Sequence, residues 1–162
     1  MENSLYNLAF EKSILSSIIF APEQFDELGT ILKKDDFYLQ AHKDIFEAMQ
    51  ALMQKNQPID EEFIKKELTR TKKFDESVMV EILSANPISN TKAYVDEVKE
   101  KSLKRHLLLL TTEIKRVTLE EELAGSEVVD IVEKKLYEIT QSNQTSDFKD
   151  SLKMTFETME YI

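Results

Sequence analysis

Cysteine is absent from this 162-residue chain, glycine occurs twice and proline three times. Without cysteine there is no disulfide framework, no thiolate metal site and no thiol nucleophile. A phosphate-binding loop needs two glycines around a short turn followed by Lys-Ser or Lys-Thr, so that bare backbone amides cradle the phosphate. Gly29 and Gly125 are too far apart for that loop or for the glycine-rich dinucleotide fingerprint. So few breakers (the prolines are Pro22, Pro58 and Pro87) also exclude a turn-rich all-β fold. A basic excess is missing as well. The net charge is −10, the reverse of the basic face with which duplex-DNA binders neutralise phosphates. The longest apolar runs, Ile18–Ala21 and Leu107–Leu110, are too short to span a bilayer. Met1 to Asn7 carries no basic region of signal-peptide type. A cytoplasmic location is the expectation.

Histidine is equally scarce. A carboxylate di-iron site needs Glu-x-x-His on one helical face, but the residues three before His42 and His106 are Leu39 and Leu103. An HExxH zinc site fails for the same lack. His42, one turn before Phe46, reads as a packed or capping residue. His106, beside Arg105, reads as facing solvent or an interface. Lys65, Lys66, Arg70, Lys72 and Lys73 read as a solvated face balancing nearby acids, and Glu120–Glu122 as a solvated loop. No catalytic residue and no metal site emerge.

Helical periodicity is abundant. Leu8, Leu15, Ile18 and Ile19 recur at helical spacing until Pro22 stops them. Phe25, Leu28, Ile31 and Leu32 mark a short second helix, and Asp35-Asp36-Phe37-Tyr38 a turn with two anchoring aromatics. Ala41, Ile45, Phe46, Met49, Leu52 and Met53 outline a strongly amphipathic helix. Asp60 is a good N-cap, Glu61 and Glu62 suit the positive end of the dipole, and Ile59 with Ile64 forms a hydrophobic staple. Asp75 can cap a further short helix before Asn86-Pro87 interrupts the chain.

From Asn90 the texture changes. One helix is predicted to about Thr118, with Leu103, Leu107, Leu110, Ile114 and Val117 in heptad spacing. Glu120–Glu122 and Gly125 end it, and Ser126 is positioned to cap a helix carrying Val129, Val132, Leu136 and Ile139. Two such helices joined by a short loop make an antiparallel hairpin. The expectation is an all-α chain: a globular head of short helices (1–89), a long hairpin (90–141), and a linker with the start of a linker helix (142–162) holding Phe148, Leu152 and Phe156. Leu107–Leu110 covers every direction around a helix, whereas a hairpin buries one stripe. Leu108 and Leu109 therefore need another surface: the head, a second copy or a partner. Leu103, Leu107–Leu110, Ile114, Val132, Leu136, Phe148, Leu152 and Phe156 are the candidate protein-binding residues.

Several residues fall into one ordered series: Glu11-Lys12-Ser13-Ile14-Leu15; Asp36-Phe37-Tyr38 with His42, Ile45-Phe46, Ala48 and Leu52; Pro58-Ile59-Asp60; then Asn90, Tyr94, Val98 and Arg105. The series resembles the N-terminal domain of the bacterial replicative DNA helicases of the DnaB family. Ser16 stands where that family usually has glycine, and Ala9 where it usually has an acid. The resemblance implies a collar domain of a hexameric ring, which contacts other copies through head and hairpin. It also implies docking of a DnaG-type primase, with a helicase loader or initiator as a further partner. ATP, Mg2+ and DNA would be handled by an ATPase motor domain that follows this region and is absent from the 162 residues. Two readings compete. A stand-alone regulatory coiled coil explains the heptads but not the Asp36-Phe37-Tyr38 series. A helical enzyme requires a convergent polar site.

Overall fold

In the computed structural model, residues 3–142 are described. They form seven α-helices and two 3-10 turns, with no strand among the described residues: α1 (Leu8–Phe20), a turn at Pro22–Gln24, α2 (Phe25–Ile31), a turn at Lys34–Asp36, α3 (Gln40–Gln54), α4 (Glu61–Arg70), α5 (Glu76–Ser84), α6 (Thr91–Thr118) and α7 (Gly125–Ser142). The expected linker helix with Phe148, Leu152 and Phe156 lies outside the described residues.

Local chemistry explains most helix boundaries. The Asn7 side chain accepts a hydrogen bond from the Phe10 amide, Asp60 from Phe63, and Asp75 from Ser77 and Val78. Each occupies an amide that the helix leaves without an intrahelical partner. The staple residues Ile59 and Ile64 are both buried. Helix ends are handled without glycine. Asn56 and Lys72 adopt the left-handed conformation after α3 and α4, with φ of 57° and 60°. The next amides, of Gln57 and Lys73, then reach back to the Leu52 and Leu68 carbonyls, the Schellman pattern. α7 starts at Gly125, one residue ahead of Ser126, so Ser126 is not its cap. The Glu127 carboxylate instead accepts from the Ala124 amide at 3.1 Å.

The chain divides into two compact units, the first ending at Ser102 and the second beginning at Leu103. The division falls inside α6, beyond the change of texture visible near Asn90, because the first turns of α6 supply Val95 and Val98 to the head core. That core is centred on α1 and α3. Ile14, Leu15 and Ile18 meet Phe46, Met49 and Leu52, with Phe25 and Phe37 packed on Phe46 at ring distances of 5.5 and 5.2 Å. Gly29 allows this packing locally: a β-carbon there would stand 2.9 Å from the Phe25 ring.

Three polar devices lie within the head. The buried Glu11 carboxylate accepts the Tyr38 amide and faces His42 Nδ1 at 2.9 Å. It joins α1, the segment after the second turn, and α3. His42 is thus a packed histidine, as its place before Phe46 implied. Ser17 Oγ donates to the Ser13 carbonyl and accepts from the Ile88 amide at 2.8 Å, while Ser16 Oγ donates to the Ala85 carbonyl. These serines hold the α5–α6 connection against α1. Finally, buried Lys99 donates to the Ile31 carbonyl and to Asp36 Oδ2 at 3.1 Å, and Ser102 donates to Asp36 Oδ1 at 2.9 Å. Asp36 Oδ2 also accepts from the Lys33 amide.

Two stability predictions follow from this chemistry. Replacing Lys99 with Met strips a buried carboxylate of its counter-charge, so urea unfolding should show a loss of about 3–5 kcal/mol; an unchanged midpoint would contradict the network. Lys72→Gly removes a side chain from the left-handed region and should raise stability by about 1 kcal/mol, read in the same titration.

Candidate interaction surface

The second unit contains the two arms of the hairpin: residues 103–118 of α6 and the whole of α7. Of the heptad stripe on α6, Leu110 and Val117 are buried, Leu103 and Ile114 half-buried, and Leu107 exposed. Leu108 and Leu109 are 53% and 67% exposed, against 8% for Leu110. Leu108 and Leu109 thus face outward as their angular spacing implied, whereas Leu107, placed in the stripe with Leu110 by its heptad spacing, is exposed as well. α7 is amphipathic yet fully buries none of its residues. Val132 and Ile139 are half-buried, but Val129 and Leu136, expected in the seam, are exposed together with Tyr137. Two paired helices cover only a narrow line on each other, and a strict seven-residue repeat drifts off that line by about 20° per heptad in a straight helix.

The arms are tied by charge. Glu113 on α6 accepts from Lys135 on α7 at 2.9 Å and from Arg116, one turn along its own helix, at 2.7 Å. The Arg116 guanidinium and then the Lys135 ammonium hold the Glu113 carboxyl down at about 2. Beside this pair runs an open groove of about 610 Å³, with Leu109, Leu110 and Ile139 as its apolar floor and His106 and Glu138 among its polar walls. His106 is half-buried and lines this groove.

Other candidates resolve into ordinary surface. Arg70 and Lys55 both bind Glu67, Lys73 lies near Asp44 and Glu47, and Lys65 sits 5.4 Å above the Phe74 ring. Two of the five cations of the basic cluster, Arg70 and Lys73, therefore meet acids, and the cluster is in part the balanced face expected. Among the described residues no group of three or more His, Cys, Asp or Glu side chains is placed to hold a metal. No described helix is long and apolar enough to cross a membrane.

The helical fold agrees with the family that the ordered series resembles, and comparison with known proteins shows that family. Residues 3–100 match the family described as DnaB-like helicase N terminal domain. The chain belongs to that family. Among curated DnaB-family relatives, the replicative DNA helicase DnaB of Helicobacter pylori strain J99 is 33% identical over 94% of this chain, and replicative DNA helicase DnaC of Bacillus subtilis is 29% identical over 96%. The chain spans about a third of the length of these relatives, 31% and 36% respectively. Two solved DnaB N-terminal domains share the architecture. That of Mycobacterium tuberculosis superposes with a TM-score of 0.73 at 25% identity, covering 83% of this chain and 98% of its own. That of H. pylori, described together with its interactions with primase, gives 0.64 at 34% identity, covering 68% and 89%.

Sequence reading missed the buried polar contacts of Glu11 and of Ser16 and Ser17, and the buried Lys99–Asp36–Ser102 set. Lysine in a charged helix carries no mark of burial. The one available signal was its place one residue after Val98, on a helix whose Val95 and Val98 turn inward.

Acid should loosen the hairpin. Glu113 titrates lower in the folded hairpin than its ordinary value of 4.5. The stability it contributes is present above that value and lost as pH falls toward about 2. Protection of the α7 amides, corrected for the intrinsic pH dependence of exchange, should fall over that window, and Glu113→Gln should flatten the Glu113-dependent part of the response. An identical profile in wild type and variant would show that the pair does not hold the arms.

Proposed function

We propose that this chain acts as the N-terminal collar domain of a hexameric replicative DNA helicase. It organises the ring through contacts with other copies and provides the docking surface for a DnaG-type primase. A helicase loader or initiator protein is a further partner. ATP, Mg2+ and DNA belong, on this reading, to the motor domain of the whole helicase, and these helices contribute no catalytic group.

The observation that carries the proposal is the hairpin's uncovered apolar surface. Leu107, Leu108 and Leu109 on α6, and Leu136 on α7, remain accessible although each lies in a well-formed helix. Burial of one such side chain is worth about 1.5–3 kcal/mol, so the surface favours association. Leu103, Leu110, Ile114 and Val132 shape it from beneath. Phe148, Leu152 and Phe156 extend the proposed contacts beyond the described residues. The primase interaction described for the H. pylori domain supports the choice of partner.

The test is co-elution of this chain with the C-terminal domain of its cognate primase, alongside light scattering of the chain alone. Leu108→Glu and Leu109→Glu should each weaken association, with helical content unchanged by circular dichroism. Undiminished self-association and undiminished primase binding in both variants would remove the leucine run from the proposal.

A further inference from the structure

The groove of about 610 Å³ along the hairpin runs from the Glu113–Lys135 pair at one end to Ser142, the last described residue, at the other. Its α7 side, from Lys135 to Ser142, covers two helical turns, about 10 Å at 1.5 Å per residue. The chain that continues past Ser142 therefore leaves from the groove's own end. Residues 143–162 follow. The first four, Asn143-Gln144-Thr145-Ser146, are polar, and Asp147 is a good N-cap. Phe148, Leu152 and Phe156 then recur every four residues, a narrow apolar stripe at helical spacing. Lys149 and Lys153 flank that stripe with the same spacing. The groove offers a matching set: Leu109 with Leu110 and half-buried Ile139 as floor, and the exposed Glu138 at its wall.

We infer that the occupant of this groove is the chain's own segment 147–156, folded back as a helix antiparallel to α7. The linker is long enough for the reversal, since helix–helix connections in bundles take about two to eight residues. Folding about its middle sets Phe148 beside Gln141 and Leu152 beside Tyr137, so Lys149 and Lys153 fall on either side of Glu138. The apolar stripe then covers Leu109 and Ile139. A tethered segment meets its site at an effective concentration of about millimolar, so a contact too weak to hold a separate peptide is populated here. Docked, the segment shields Leu109, one of the leucines of the proposed partner surface. Segment and partner then compete, and a partner that takes Leu109 frees the stripe of Phe148, Leu152 and Phe156 for contacts of its own. The docking stands apart from the function proposed above; the competition alone rests on it.

Hydrogen exchange on the full chain tests this. A helix of this length is marginal in water by itself, so slowed exchange over 148–156 requires a surface beneath it. Those amides should exchange at least about tenfold more slowly than an unstructured chain, at a rate independent of protein concentration. Leu109→Glu should abolish the protection while the amides of α6 and α7 keep theirs. Leu108→Glu, also at an exposed position but outside the groove, should leave it in place. Unprotected amides in wild type, protection that survives Leu109→Glu, or equal loss in Leu108→Glu each overturn the docking and leave the proposed partner surface standing. Protection that fades on dilution overturns it too and assigns the groove to the segment of a second copy. Adding the C-terminal domain of the cognate primase should speed exchange over 148–156 at least about tenfold as the segment is displaced. Bound primase that leaves the protection unchanged overturns the competition. A primase domain that never binds defeats the function proposed above, and the docking is still decided by the chain alone.

Discussion

The head rests on one buried carboxylate. Asp36 stands where the turn after α2 meets α6, and its oxygens are held by the Lys99 ammonium, the Ser102 hydroxyl and the Lys33 amide. A lone buried charge is costly, and it becomes tolerable only with a counter-charge and a full set of hydrogen bonds. That requirement binds the first turns of α6 into the head. The turn at Lys34–Asp36 is in place because its aspartate is bonded, and Phe37, the next residue, is thereby delivered to the ring of Phe46. Glu11 works in the same way on the other side of Phe37, accepting the Tyr38 amide and facing His42. Two carboxylates thus flank the most specific stretch of the family series.

How much of this was legible beforehand depended on whether the information is local. Caps are local, and Asp60 and Asp75 act as their sequence neighbourhood dictates. The stop at Pro22 and the uninterrupted helix to Thr118 are local too. Periodicity identified an apolar face on α7 but could not say how much of it one partner helix would cover, so Val129 and Leu136 were placed in a seam they do not fill. Lys99 was illegible because its burial depends on Asp36, which lies 63 residues earlier. The start of α7 was misjudged at Ser126 because Glu127 could satisfy the preceding amide from inside the helix.

The candidate surface shows the same division. Angular spacing alone required that a run of four leucines leave some outside a two-helix hairpin, and Leu107 to Leu109 are the ones outside. On the head, Lys12, Lys34, Arg70 and Lys73 meet acids of the same unit, while Phe20 and Val80 stand exposed.

The Ser17 hydroxyl bonds an amide 71 residues further on, and Lys99 and Ser102 close onto Asp36 across 63 and 66 residues. On a ribosome this separation becomes a delay. The helix that holds Ile14, Leu15 and Ile18 can pack on α3 once Gln54 has cleared the exit tunnel, whereas Ser17 and Asp36 wait for Ile88, Lys99 and Ser102. At about 5–20 residues per second this interval lasts several seconds. The nascent head therefore passes through a period in which its apolar core can begin to form while Asp36 has yet to meet Lys99 and Ser102.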